Sequence, residues 1–445
     1  MKLKVFYASD GDCLLLTSSD GHHALIDGGR GASFRQQTWP ALEALAKAEQ
    51  VVDLVVVSHI DADHISGILW LMKNVAAWSV YDYQTTDGGN PNFPKPTIKR
   101  PPGIKKLWHN SWRAQLGQLA GPIEAYVSWL DEGLATAAFD RSTAPDAAVE
   151  MIDALQGLAE SIPEGVELLR IVDNETPVPR NTPFEDLVLL RNPLHVEKLG
   201  KARLTVIGPA RKHLEKLREE WRKWLSTPAG QAAARAEVDP QRPEDQAPGL
   251  GVIDFFEAST DKRTQSDQLV ASLINAAEII VATDPTKVTP PNRASITLLA
   301  EENQRTCLLT GDAAEEEILE GLEAAGRIVN GRFWCNVVKV QHHGSEHNVS
   351  QDFAETVLAD QYVFCADGAH GNPEPSVVKT IIETRLAADP RPFTFWFNCS
   401  PERTPPSRRK ELRAAIKEAK AAARKHPTIT VNVLDAAKAF HEIPV

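Results

Sequence analysis

The chain has 445 residues, 42% of them hydrophobic and 24% charged, the make-up of a folded globular protein with enough length for two or three domains. Its 60 acids against 48 bases leave a formal charge of −12, which excludes a bulk-basic nucleic-acid coat but permits a local basic groove. No apolar run approaches the ~20 residues of a membrane span. The opening apolar stretch meets Asp10 too early for a signal core, so a cytoplasmic protein is expected, with no membrane contact. Cys13, Cys307, Cys335, Cys365 and Cys399 stand singly, so neither a disulfide framework nor a CxxC zinc knuckle is available, and any metal must be held by His and carboxylates.

Short strands are expected over 3–8, 12–17, 24–27 and 53–58, with a helix over 39–48 whose apolar positions include Leu42, Leu45 and Ala46. The strand at 24–27 runs into Asp27-Gly28-Gly29 and that at 53–58 into His59, polar residues at strand ends where layered α/β folds place their chemistry. From about residue 85 to 290 the pattern changes, which reads as a long, mainly helical insertion. It holds a Pro- and Lys-rich stretch (90–106), an Ala-rich helical stretch (129–158) and strands near 187–190 and 204–207. An amphipathic helix at 211–225 carries Leu214, Leu217, Trp221 and Leu225 on one stripe. Residues 227–250, rich in Pro, Ala, Gln and charge, read as a mobile linker. Strands follow at 296–300, 306–310, 337–341, 362–365, 393–397 and 428–433, with helices at 314–322, 377–386 and 408–425. The organisation is a first half over 1–84, the insertion over 85–290 and a second half over 291–445, two similar β-rich halves packed together.

The densest chemical signal is Ser58-His59-Ile60-Asp61-Ala62-Asp63-His64, four potential metal ligands within six residues directly after a Val-rich strand. Leu308-Leu309-Thr310-Gly311-Asp312 places an acid after another strand, and Lys339-Val340-Gln341-His342-His343-Gly344-Ser345 places a His pair after a third. No Gly-x-Ser-x-Gly elbow is present, and no Cys stands beside a plausible base, so serine or cysteine nucleophiles are disfavoured.

In order, Asp27-Gly28-Gly29, His59-x-Asp61-x-Asp63-His64, Gly311-Asp312 and His342-His343-Gly344-Ser345 resemble the successive motifs of the metallo-β-lactamase superfamily. The Asp at position 61, paired with the HHGS run, is similar to the hydrolase domain of ComEC-like competence proteins. The resemblance implies an αββα sandwich with a metal site at one edge and a metal-bound hydroxide as nucleophile. It implies two divalent ions, zinc or manganese, with His59 and Asp61 at the first, Asp63 and His64 at the second, Asp312 bridging them and His342 completing the second site. His343 is the rival for that last place, and Asp27 orients a ligand without touching the metal. The superfamily's further His is missing, so the third ligand of the first ion is sought among Asn292, Ser295 and His109. Asp63 and Asp312 are also the catalytic carboxylates, and His370 is the first choice for general acid, ahead of His343 and His347.

Between Gly88 and Ile123 there is no acid, while Lys95, Lys99, Arg100, Lys105 and Lys106 gather near Trp108 and Trp112, a pattern suited to phosphates and stacked bases. Residues 401–426 add nine bases against three acids. A nucleic acid or nucleotide is therefore the expected partner, and a phosphodiesterase or nuclease the expected enzyme. The alternatives are a dinuclear hydrolase of a small lactone, thioester or nucleotide, and a weakly active binding component, with a protein partner, of a multiprotein system such as antiphage defence.

Overall fold

The computed structural model describes residues 1–124, 146–226 and 290–445. Two sheets face each other. The first contains β1 (Lys2–Phe6), β2 (Leu14–Thr17), β3 (His23–Ile26), β4 (Leu54–Val57) and β5 (Leu107–His109). The second contains β6 (Val196–Leu199), β7 (Ala202–Gly208), β8 (Thr297–Glu302), β9 (Arg305–Leu309), β10 (Phe333–Lys339), β11 (Val357–Phe364), β12 (Phe393–Phe397) and β13 (Ile429–Val433). A last strand, β14 (Phe440–Pro444), returns to pair antiparallel with β1, giving the orders β14-β1-β2-β3-β4-β5 and β13-β12-β11-β10-β9-β8-β7-β6. Each sheet starts as an antiparallel meander and becomes parallel, at β3/β4 in one and β9/β10 in the other. The carboxyl ends of parallel strands thereby gather at one edge, the usual place for a site in open α/β sheets.

Alternation along the strands builds four layers. Leu54 and Val56 of β4 join Leu298, Leu309 and Val337 in the core between the sheets. Val55 and Val57 point the other way, against α1 (Trp39–Lys47) and α2 (Ala62–Thr85) through Leu42, Ile65, Ile68 and Met72. A long helix, α3 (Asp146–Glu175), covers the same face through Leu168, Ile171 and Val172, and α4 (Arg211–Leu225) follows β7. The outer face of the second sheet is covered by α5 (Glu315–Ala324), α6 (Gln351–Thr356), α7 (Pro375–Ala388) and α8 (Arg409–Lys425), which bury Ile318, Phe353, Ile381 and Leu412 on Phe364, Phe393 and Phe395. Helices outside two facing sheets make the mixed α/β sandwich expected from the motifs.

The span 85–290 does more than interrupt the halves. Its β5 extends the first sheet, with Val57 opposite His109, and its β6 and β7 close the edge of the second. No strand forms at 187–190; there Val188 is held by both ends of the Asn110 side chain, at 2.8 and 2.9 Å, so a side chain takes the place of a ladder partner. The Ala-rich stretch is described only from residue 146, as the start of α3, and the linker assigned to 227–250 lies outside the described residues. Among the described residues no helix is long and apolar enough to cross a membrane.

Candidate metal centre

Asp27 ends β3 in the left-handed region, with φ 58°, and is fully buried. Its Oδ1 accepts the Ser58 backbone N–H at 2.7 Å, and its Oδ2 accepts both the Ser58 hydroxyl at 2.7 Å and His64 Nδ1 at 2.9 Å. The Ser58 proton being given to Asp27, the contact at 3.0 Å between Ser58 Oγ and His59 requires His59 Nδ1 to donate. One carboxylate therefore orients two histidines through Nδ1 and leaves both Nε2 atoms turned toward the cluster. Close backbone packing holds α2 in place: Gly28 N–H donates to the His64 carbonyl at 2.8 Å, and a Cβ on Gly28 would stand 2.5 Å from the Ile68 nitrogen.

The second sheet supplies the other half. β9 ends at Leu309, and Gly311, at φ 52°, turns Asp312 inward, where the Ser295 hydroxyl accepts the Asp312 N–H at 3.2 Å. β10 stops at Lys339, before the Gln341 expected from the apolar pattern. His342 and His343 then take consecutive positive φ values, 45° and 55°, which send their rings different ways. His343 Nδ1 donates to the Cys365 carbonyl at 2.7 Å and His342 Nδ1 to Asn348 Oδ1 at 2.7 Å. All four imidazoles are thus held through Nδ1.

The Nε2 side is where the atoms converge. His64 Nε2 lies 3.4 Å from His343 Nε2, 3.5 Å from Asp312 Oδ2 and 3.6 Å from Asp63 Oδ2, while His343 Nε2 lies 3.2 Å from each of those two oxygens. A tetrahedron with bonds of 2.0–2.1 Å has edges of about 3.3 Å. Each of the two carboxylate oxygens forms with the two Nε2 atoms a triangle of edges 3.2–3.6 Å, the spacing that ligands of one divalent ion take. Next to them His59 Nε2, buried without a hydrogen-bond partner, stands 3.4 Å from Asp61 Oδ2 and 4.0 Å from Asp312 Oδ2. Asp61 is the N-cap of α2, yet its side chain makes no capping bond and faces His59 instead. Asp312 Oδ2 is common to both groups.

Two residues here carried no role in the sequence reading. Lys339, fully buried, contacts Asp12 Oδ2 at 2.5 Å, Asp312 Oδ1 at 3.2 Å and the Gly311 carbonyl at 2.9 Å, so only Oδ2 of Asp312 faces the histidines. Asp12 Oδ1 sits 3.4 Å from His343 Nδ1. Burial pushes the Asp12 and Asp312 carboxyls up, but Lys339 and His343 outweigh it and hold both below the usual range. Burial likewise opposes the charged forms of His64 and His343, yet Asp312 leads the carboxylates in raising both well above the ordinary imidazole value. The pocket is one that demands positive charge. Asp12, His64 and His343 also approach one another, but through the Nδ1 faces already bound to Asp27 and Cys365, so that group backs the centre.

The remaining candidates lie around the cluster or away from it. His342 Nε2 faces the Asn292 amide at 3.3 Å; burial lowers the His342 imidazolium, with Asp312 opposing and His59 within electrostatic range. It is His343, the rival of His342, whose Nε2 meets Asp63 and Asp312. Ser295 binds the Asp312 backbone. His109 is fully buried with neither ring nitrogen hydrogen-bonded, burial and then Arg180 lower it to about 3, and it belongs to neither metal-capable group. His370, at φ 51°, is exposed on the loop after β11, as is His347 on the loop after the His pair. The basic segment is largely neutralised: Lys99 pairs with Glu43, Arg100 with Asp82, Lys105 with Asp53 and Lys106 with Glu197, while Lys95 lies over Trp78. Trp108 and Trp112 are in the core, with no face for a base to stack on.

Two facing sheets with helices outside, and a His/Asp cluster where parallel strands end, define an α/β sandwich with a metal-capable centre. Residues 7–147 match the model of the metallo-beta-lactamase superfamily, a group of mostly hydrolases that typically bind divalent metals. The match covers Asp27 and the 59–64 motif, whereas Asp312 and the His pair lie beyond it. No curated protein matches the chain.

Proposed function

We propose that the chain is a metal-dependent phosphodiesterase of the ComEC-like type, with nucleic acid as its substrate class and two divalent ions, zinc or manganese, as cofactors. The observation that carries the reading is the spacing of the His64 and His343 Nε2 atoms from each other and from the Asp63 and Asp312 carboxylates, 3.2–3.6 Å, with each Nδ1 engaged elsewhere. His64, His343, Asp63 and Asp312 would hold one ion and His59, Asp61 and Asp312 the other, with His342 as a fourth residue beside it in place of the missing superfamily His. The mixed carboxylate and imidazole set suits manganese as well as zinc.

Such ions, when bound, lower the pKa of water and offset charge that develops on a phosphoryl group. The protein's part is orientation. Asp27 and Ser58 fix the rings of His59 and His64, and Lys339 binds Oδ1 of Asp312, leaving Oδ2 turned toward His59, His64 and His343. Asp63 and His343, on opposite sheets, close the cluster. We assign protonation of the leaving group to His370, on the loop whose Asn372 donates to the His342 carbonyl at 3.4 Å.

Elemental analysis of the purified protein, followed by hydrolysis of bis(p-nitrophenyl) phosphate with added Mn²⁺ or Zn²⁺, tests the reading. Asp63→Ala and Asp312→Ala are each expected to abolish turnover and reduce metal content with the circular dichroism spectrum intact. Turnover that survives both substitutions overturns the assignment.

A further inference from the structure

We propose that the exposed face of α8 binds the phosphate backbone of a polynucleotide and lays it beside the metal centre. The idea rests on the phosphodiesterase reading above and deepens it by assigning the surface that holds the nucleic acid and by requiring a polymer rather than a mononucleotide.

α8 buries Leu412, Ala415, Ile416 and Ala419 in the core of the second sheet's outer face. Lys410, Arg413, Lys417, Lys420 and Arg424 are all exposed. Their spacing of three, four, three and four residues puts them within an arc of about 80° at 3.6 residues per turn. Glu411 and Glu418 fall on the other flank of the helix, so the charges are segregated rather than interleaved. Among the described residues no acid lies within ion-pair distance of any of the five, in contrast to the 95–106 segment; the exposed Glu402 carboxyl, held low first by hydrogen bonds, also feels Arg413. Residues 401–426 carry a local +6 in a chain of −12.

The stripe is ~21 Å long at 1.5 Å per residue, one cation every ~5 Å, more than a mononucleotide or a small lactone can occupy. A polymer of phosphates matches that length. The stripe also starts at the metal centre's rim. Arg408, immediately before α8, reaches Asp367 at 3.3 Å and Asp10 at 3.6 Å, and the neighbouring Gly11 packs so closely that a Cβ there would lie 1.6 Å from the Asp63 carbonyl oxygen. A lipid surface fits less well, because the exposed face of α8 offers Ala and no Trp, Phe or Leu to insert.

The test is fluorescence anisotropy of the full chain in EDTA with a labelled single-stranded oligonucleotide, as DNA and as RNA, across a salt series. Arg413→Gln/Lys417→Gln/Lys420→Gln is compared with Lys95→Gln/Lys99→Gln/Lys105→Gln, which changes the net charge equally, and thermal unfolding confirms that each variant is folded. The α8 variant should bind about tenfold more weakly or worse and lose about 2 from the slope of log K against log salt, at about 0.7 per phosphate. The control should keep the wild-type slope. Equal slopes for wild type and the α8 variant, equal losses in both variants, or binding to anionic phosphatidylserine vesicles without binding to oligonucleotide would each overturn the proposal. Cleavage of bis(p-nitrophenyl) phosphate without oligonucleotide binding defeats the α8 proposal alone. Oligonucleotide binding that the α8 variant loses, with no diester cleavage, upholds α8 and defeats the phosphodiesterase reading.

Discussion

Asp27→Asn is the smallest change that separates the orientation of the cluster from its composition. Asp27 touches neither group of converging Nε2 and carboxylate atoms, yet accepts three hydrogen bonds, from Ser58 N, Ser58 Oγ and His64 Nδ1. Asn has nearly the same shape and tolerates the left-handed φ of 58°, so the backbone turn survives. If its oxygen keeps the Ser58 N–H, its amide group faces Ser58 Oγ and His64 Nδ1 as a donor. His64 must then accept at Nδ1, which moves its proton to Nε2, the atom 3.5 Å from Asp312 Oδ2. Loss of such an outer partner costs 10- to 100-fold in metal affinity, about 1.4 to 2.8 kcal/mol. Competition against a fluorescent chelator at pH 7 measures this directly, with urea unfolding in EDTA as the check on the fold. A dissociation constant within threefold of wild type would refute the claim that Asp27 sets the His64 tautomer.

Lys339→Met leaves Asp12 and Asp312 buried without their cation and should cost about 3–5 kcal/mol in urea unfolding of the metal-free protein. Adding Asp12→Asn should recover part of that loss, and strictly additive effects would show that the pair is uncoupled. Glu317, pushed up by burial to about 8 despite Arg293, binds its proton more tightly in the folded chain than at its ordinary value of 4.5. Its contribution is therefore complete below pH 4.5 and declines by about 1.4 kcal/mol per pH unit until pH 8. Glu317→Gln should gain stability over wild type as pH rises from 5 to 8; a constant difference across that range contradicts the reading. His109→Leu should leave metal stoichiometry unchanged and stability equal or higher, because it removes two buried nitrogens that make no hydrogen bonds. A lost metal equivalent in elemental analysis would restore His109 as a ligand.

Most of the sandwich was legible because its strands are short apolar runs with a period of two and its helices carry apolar stripes. β6 and β14 escaped notice because edge strands such as Val196–Leu199 and Phe440–Pro444 carry Glu, Lys and His and have no continuous apolar face. The convergence of the 59–64 cluster and Asp312 was legible because local spacing alone brings polar groups to strand ends. Asp12 and Lys339 were not, since their meaning depends on a contact between residues 327 positions apart on different sheets. One signal was present: a Lys inside the apolar run of β10 has to find a buried acid. The order of His342 and His343 could not be read from an assumed straight strand, because two successive left-handed residues decide which ring turns in. Trp108 and Trp112, surrounded by bases in sequence, face the core because β5 and the turn after it pack inward.

The converging atoms belong to two separate sheets: His59, Asp61, Asp63 and His64 follow β4, while Asp312 and His343 follow β9 and β10. What fixes the gap between them is the layer of Leu16, Ile26 and Val56 against Leu298, Leu309 and Val337. That layer is a gauge block as well as a core. Its thickness is set by side-chain volume, and packed interiors respond to the loss of a single methylene. A distance of 3.2 Å between His343 and Asp63 is thus maintained by residues that touch neither of them. Val56→Ala or Val337→Ala in the gauge is therefore expected to loosen the spacing at the edge of the sandwich as well as to lower stability, by about 1.6 kcal/mol or more.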